Sequence, residues 1–423
     1  MSSKILVVPD KFKGTLTAQA AAQSIAQGWR EVRPGEQLDL LPMSDGGDGF
    51  GDVLSGLVHA EARKVETVDA HGQPREATWW WEPSSKTAII ESAQVIGLAL
   101  LPPGRYHPFE LDTFGLGAVL RAAAAQGAQE CVIGIGGSAT NDGGFGVARS
   151  MGWAFLGESG EPIEKWTQLD QLERIIPPRT GRDFSIKQRT PAPLPGGEPL
   201  SAARCVAPLL GRGTEVGSPS QTNVASALKL PVMRVAVDVQ NPLLGPTGAS
   251  RVYGPQKGLG MEDMPKAEGC LQRLRVVSER DLRLTPSSVP GDGAAGGLGF
   301  GLRCFAGAQL ESGFKLFARY ARLEERIRSS QLVITGEGAI DTSTLMGKGV
   351  GEVAGLCQRH GVPCIGMAGA VENALRSAEP AGPFRRVFGI APDLADPERA
   401  KRDAGVWLAR LAARVAESWT HTG

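Results

Sequence analysis

The apolar residues of this chain recur with two different periods. Residues 4–9, KILVVP, make a short continuous run rich in β-branched side chains, the pattern of a strand buried on both faces. In the next segment, TLTAQAAAQSIAQGWREV, the period changes. Ala21, Ile25 and Trp29 fall four apart on one helical face, and Thr17 stands where an N-cap belongs. LDLLPM returns to strand, and after the loop SDGGDG a helix carries Phe50, Val53, Leu54, Leu57 and Val58. Strand–helix alternation of this kind predicts a layered α/β fold with parallel strands.

Near residue 62 the pattern shifts to strands in succession. ARKVETVDA and REATWWWE are joined by HGQP, and TAIIES follows, which predicts an antiparallel meander. Three consecutive tryptophans in a strand cannot share a face. Trp79 and Trp81 point one way and Trp80 the other, so this strand is expected between a core and a domain interface. A helix over 113–126, the strand ECVIGIGG, the strand PVMRVAVDV and a helix over 262–281 come next. The last third alternates again: QLVITGEG, a helix over 347–359, VPCIGMAG, RRVFGI and a long helix over 396–418. Two α/β domains are therefore expected. Residues 1–66 and 290–423 would form a Rossmann- or flavodoxin-like domain whose parallel sheet draws on both chain ends. Residues 67–289 would form an inserted domain with a mixed sheet. The Pro- and Gly-rich stretch at 177–230 reads as a flexible surface insertion.

Composition narrows the function classes. Lys plus Arg and Asp plus Glu are both 45, which argues against a broad nucleic-acid surface. No apolar run approaches the roughly 18 residues of a membrane span. The N-terminal run Ile5 to Pro9 is too short for a signal-peptide core, so a cytoplasmic protein, monomer or homodimer, is expected. The six cysteines are widely spaced and form no C-x-x-C pair, as in a reducing compartment, and the five histidines form no zinc-like cluster. Glycine is the departure: 56 residues, against about 30 at typical usage for this length.

The surplus glycines sit in loops that follow predicted strands, together with acids and lysines: PDKFKGT (9–15), SDGGDG (44–49), GIGGSATNDGG (134–144), DVQNPLLGPTGAS (238–250), GPQKG (254–258), PGDGAAGG (290–297) and TGEGAIDTSTLMGKG (335–349). Open α/β sheets bind ligands at the carboxyl ends of their strands. Glycine lets backbone N–H groups approach an anion. Carboxylates in the same loops would repel phosphate unless a divalent cation such as Mg²⁺ intervened. Glycine, acid and lysine together, with no histidine or hydrolase triad, describe phosphoryl transfer by positioning and electrostatics. A Walker A loop is absent. Gly134–Ala139 fits the dinucleotide pattern G-x-G-x-x-A but has no clean partner acid, which leaves an oxidoreductase as a weak alternative.

On this reading Asp142 is a candidate general base or metal ligand, with an N-cap of the following helix as the structural alternative. Asp238 ends a strand and is a candidate metal ligand. Lys13 and Asp10 follow the first strand and could hold phosphate or substrate, and Asp45, Glu337 and Asp341 could hold metal. Gly136, Gly137 and Ser138 could cradle phosphate through their amides, with Lys257 and Lys348 supplying charge.

The same segments carry a family resemblance. PDKFKGTLTA, PMSDGGDGF, IGIGGSATNDGG, DVQNPLLGPTGAS, YGPQKG, GAAGGLG, and ITGEGAID with GKG follow one another as in the type I glycerate kinases, which the chain resembles along nearly its whole length. The resemblance implies two α/β domains, ATP and Mg²⁺ as cofactors, and D-glycerate phosphorylated to 2-phosphoglycerate. It adds Asn141, Gly296 and Gly297 to the phosphate- and substrate-binding set. A kinase for another small hydroxy acid is the alternative. Phe50, Ala339 and Thr342-Ser343 depart from the family pattern, which is expected to reshape the cleft wall.

Overall fold

The computed structural model describes residues 4–178, 230–284, 289–345 and 349–419. The insertion expected at 177–230 lies almost entirely outside them. Thirteen strands occur among the described residues: β1 Lys4–Val7, β2 Gln37–Leu40, β3 Glu61–Val68, β4 Pro74–Glu82, β5 Thr87–Glu91, β6 Glu130–Gly134, β7 Ala154–Leu156, β8 Arg174–Ile176, β9 Val232–Val237, β10 Gln309–Ser312, β11 Leu332–Ile340, β12 Cys364–Val371 and β13 Arg386–Ala391. Five form an all-parallel sheet in the order β13-β12-β11-β1-β2, built from both chain ends. Six form a mixed sheet, β10-β9-β6-β5-β4-β3. In it β10, β9, β6 and β5 run parallel, and β4 and β3 complete the expected antiparallel meander. The fold is α/β.

Sheet membership changes near residue 60 and again after residue 312, not at 66/67 and 289/290: β3 begins at Glu61, and β10 pairs with β9. The four residues of β10 are too short and too mixed in polarity to read as a strand without their partner.

Strand alternation builds the layers. Ile5, Val7, Ile334 and Met367 face helices Ala18–Val32 and Ala404–Ser418. Thr17 caps the first of these, its side chain accepting from Ala20 N–H at 3.1 Å. Leu6, Val8 and Val333 point the other way, into an apolar layer shared with Trp80, Ile89, Val132 and Ala236 of the mixed sheet. Helix Phe50–Val58 lies in that shared layer. Trp79 and Trp81 face the opposite core, with Ile90, Ile133 and Val235. The tryptophan triplet thus joins a core to an inter-sheet interface, as its alternation demands. Phe50 is fully buried with its ring packed against Gly134, so it shapes this layer and not the cleft wall. The expected helix 396–418 is two helices, Pro397–Arg402 and Ala404–Ser418, broken at Asp403. No described helix is long and apolar enough to cross a membrane.

Helices Ala18–Val32 and Ala404–Ser418 touch through Gly28. A Cβ there would lie 1.8 Å from the carbonyl oxygen of Ala409. Gly28→Ala gains about 1 kcal/mol in helix propensity, but the clash with rigid backbone costs about 1–3 kcal/mol or more. The variant is expected to unfold at lower urea concentration than the parent. An equal or higher midpoint would show that the helix pair does not depend on this approach.

Candidate active site

The carboxyl ends of the two sheets meet. β1 ends and the chain runs on to Asp10, whose N–H is held by the carbonyl of Gly336 at 2.8 Å. After β2 the loop 44–49 crosses toward the mixed sheet. Gly136 N–H donates to Gly46 O at 3.0 Å, and Gly46 packs against Ala236. This crossing places Asp45 within electrostatic reach of acids on both sheets. Asp10 has its pKa raised to about 7, first by burial and then by Asp45 and Glu337; Lys11 opposes the shift. Asp238, one residue beyond β9, is raised to about 6. It is open to the cleft by surface area, but the concave walls strip water from its carboxyl, and Asp45 and Asp48 add like charge. Lys11 Nζ lies 4.0 Å from Asp48 Oδ2 and is the cation placed among these acids.

Of the residues singled out from sequence, Asp10, Asp45, Asp238 and Glu337 are therefore brought together. Gly136 and Gly137 adjoin them: a Cβ on Gly137 would lie 1.9 Å from Asp48 Oδ1. Gly136 spends its N–H on Gly46, so it shapes the site and does not offer that donor to phosphate. Gly137 is exposed, with φ of +73°. Lys13 is exposed in the turn 12–15, where its backbone approaches Gly338 and Gly14 takes φ of +77°. Lys348 lies outside the described residues.

Several expectations are corrected by geometry. Asp142 is fully buried, and its carboxylate accepts from Thr113 N–H (2.9 Å), Thr113 Oγ1 (2.8 Å), Gly146 N–H (2.9 Å) and Gly144 N–H (3.1 Å). It ties down the start of helix Phe145–Ser150, the structural alternative weighed above, and a group so enclosed cannot take a proton from substrate. Burial raises its pKa while these four hydrogen bonds oppose the rise. Asp341 caps its own short helix through Thr344 N–H (3.1 Å) and Ser343 Oγ, and so belongs to a local turn. Gly296 and Gly297 are buried and meet protein backbone: a Cβ on either would strike Thr140 O at 2.0 Å or Gly143 Cα at 2.8 Å. Their glycines serve the packing of one loop on another. Lys257 is buried, and its ammonium donates to Thr140 O at 2.7 Å. Burial lowers its pKa to about 8, against the pull of Asp142. With Asn141, whose Nδ2 donates to Ser250 Oγ at 2.9 Å, it braces the loop 138–142 from beneath. Ser138 Oγ pairs with Thr140 Oγ1 at 2.9 Å within that loop.

Sequence reasoning missed Lys11, Asp48 and Glu91. Lys11 and Lys13 flank Phe12 in the same motif. Only the approach of Lys11 to Asp48 and its pull on Asp10 and Asp238 show that Lys11, next to the strand end, is the one placed among the acids. Among the described residues, no three His, Cys, Asp or Glu side chains form a ready metal cage.

A glycerate kinase family model matches residues 5–186 and 207–420. The chain belongs to the glycerate kinase family. It is 32% identical over 418 residues to a glycerate kinase of Halalkalibacterium halodurans, covering 98% of each chain. It is 32% identical over 413 residues to a glycerate 2-kinase of Escherichia coli K12, covering 98% of this chain and 97% of the other. A crystal structure of a protein assigned as glycerate kinase 2, from Salmonella typhimurium LT2, superposes with a TM-score of 0.73 at 30% identity, covering 99% of this chain and 98% of that one. The protein is thus a kinase of α/β architecture.

Two outcomes follow for this kinase. Asp142→Asn turns an amide N–H₂ or a weaker acceptor toward four donors, and should lower unfolding free energy by about 2–4 kcal/mol; an unchanged denaturation midpoint would contradict the capping role. Asp10 has a folded pKa raised to about 7 from 3.8, so between those values the folded state holds more protons than the unfolded chain. Its contribution to stability is best below the unfolded pKa and is lost as pH rises toward 7. In the absence of divalent cations, Asp10→Asn should therefore gain in melting temperature relative to the parent as pH rises from 4.5 to 7.5. A difference independent of pH would exclude the burial and crowding of this carboxyl.

Proposed function

We propose that this kinase transfers the terminal phosphoryl group of ATP to the 2-hydroxyl of D-glycerate, giving 2-phosphoglycerate and ADP. The observation that supports the reading best is the convergence of Asp10, Asp45, Asp48, Asp238 and Glu337 around Lys11, beside the exposed Gly137 turn. The donor set fits Mg²⁺: it is all oxygen, and two of its carboxyls are held above their usual range by burial and like charge. One or two of Asp10, Asp45 and Glu337 would hold the ion. When bound there, Mg²⁺ would supply neutralisation of phosphate charge.

The chain's own residues do the rest. The backbone at Gly137 and Ser138 can donate to phosphoryl oxygens, and Lys11 and Lys13 lend positive charge where phosphate arrives. Asp238 is better suited to the proton than to the metal. It is open to the cleft and its pKa, raised to about 6, lies close to neutrality, where a base combines availability with strength. In this scheme the glycerate 2-oxygen attacks the γ-phosphorus, its proton passes to Asp238, and the bond to the β-γ bridging oxygen breaks. Lys257 and Asn141 act by bracing the loop that presents Gly137 and Ser138.

Incubation with D-glycerate and ATP, followed by phosphorus and carbon NMR of the product, tests the reaction. Phosphate on C2 is expected; phosphate on C3, or turnover only with another hydroxy acid, would overturn the assignment. Asp238→Asn should lower kcat by about 10²–10⁴-fold with little change in the KM for ATP. A kcat within twofold of the parent would remove Asp238 as the base.

A further inference from the structure

The loop that carries Asp45 and Asp48 is held from the other sheet. Helix Phe50–Val58 starts at Gly49, whose φ of +85° and lack of a side chain leave the first amides without a local cap. Such amides are orphan donors that need a partner, and a carboxylate at a helix N-terminus satisfies both the hydrogen bonds and the dipole. Glu91, the last residue of β5, supplies it. Its Oε1 accepts from Gly49 N–H at 3.0 Å and its Oε2 from Gly51 N–H at 2.9 Å. The side chain is 4% exposed and sits near Asp48 and Asp52, whose charges oppose its own. A residue that only filled space would not bring a third carboxylate into that neighbourhood.

We infer that Glu91 is a positioning residue for phosphoryl transfer: by bonding both amides it fixes loop 44–49, and so sets where Asp45 and Asp48 stand between the two sheets. The loop has other ties, namely Gly136 N–H to Gly46 O and the close approach of Gly313 to Asp45 O. Those ties hold its start and middle. Among the described residues, Glu91 makes the side-chain hydrogen bonds to the amides that close the loop, so the segment carrying Asp45 and Asp48 is pinned at both ends. Gln at this position keeps the shape but turns one N–H₂ toward an N–H. Asp keeps the charge but is one methylene short.

This inference rests on the proposed role of Asp45 in the reaction, so the test separates the two. Rates of glycerate phosphorylation are measured for Glu91→Gln, Glu91→Asp, Asp45→Asn and the double variant Asp45→Asn/Glu91→Gln, with hydrogen–deuterium exchange followed over residues 44–52. Glu91→Gln is expected to lower kcat/KM by about 10- to 100-fold, the range for partners that orient functional groups, with Glu91→Asp retaining part of the activity. The double variant should be no slower than Asp45→Asn within about twofold, because coupled sites are not additive. Exchange should accelerate at residues 49–51 and stay unchanged in helix 18–32. Losses that multiply in the double variant, or unchanged exchange at 49–51 in both Glu91 variants, would reduce Glu91 to a structural residue and leave the proposed reaction standing. A full rate in Asp45→Asn would instead remove the loop from the chemistry and both readings with it.

Discussion

Two loops from different sheets touch backbone to backbone, and the gathering of acids at the strand ends depends on that contact. Gly136 N–H bonds Gly46 O at 3.0 Å, and a Cβ on Gly136 would lie 2.6 Å from Gly47 Cα. A Cβ on Gly313 would lie 1.5 Å from Asp45 O. Side chains at these positions would push the strand ends apart. Asp45 would then face one sheet or the other, and Asp10 and Asp238 would lose the neighbour that links them. This is the use of glycine that its high content points to: it is spent where backbone must meet backbone or, as at Gly137, where a carboxylate occupies the space of a side chain.

The contact persists because an apolar layer lies beneath it. Phe50, Leu54, Trp80, Ile89 and Val132 pack with Leu6, Val8 and Val333 into one core between the sheets. Each large side chain there contributes about 1.5–3 kcal/mol by leaving water. A motion that opened this layer would expose several at once, which exceeds the stability of most domains. The contact between the two loops is therefore held from below by a layer that is costly to open. Glu91 matters in the same way: it joins the rigid layer to the loop above it.

The periodic features of the fold were legible in the sequence because they follow from local geometry. Thr17 caps its helix, the tryptophan triplet splits between two cores, and Asp10, Asp45 and Asp238 all follow strands whose ends converge. What was not legible depends on partners distant in sequence. Asp142 and Asp238 look alike, each an acid in a glycine-rich loop after a strand, yet one faces Thr113 and the amides of its own helix while the other faces the cleft. Gly296 and Gly297 have the composition of a phosphate loop but meet Thr140 and Gly143. Glu91 ends an apolar strand and resembles a polar terminus until the amides about 40 residues before it are in place. Glycine and acid at strand ends narrow the site to a set of loops; burial and bonding decide which members of the set stay open to a ligand.

The crowding of carboxyls is the remaining puzzle, and charge resolves it. Asp10, Asp45, Asp48, Asp238 and Glu337 repel one another in the folded chain, with Lys11 as their partial counterweight. Such a cluster opposes folding near neutral pH, because Asp10 and Asp238 must hold protons or pay for their charge. A chain selected for stability alone would replace some of them with amides. Keeping them leaves an electrostatic deficit, which under the proposed function a divalent cation would offset. The apolar layer below is what holds these acids together against their mutual repulsion.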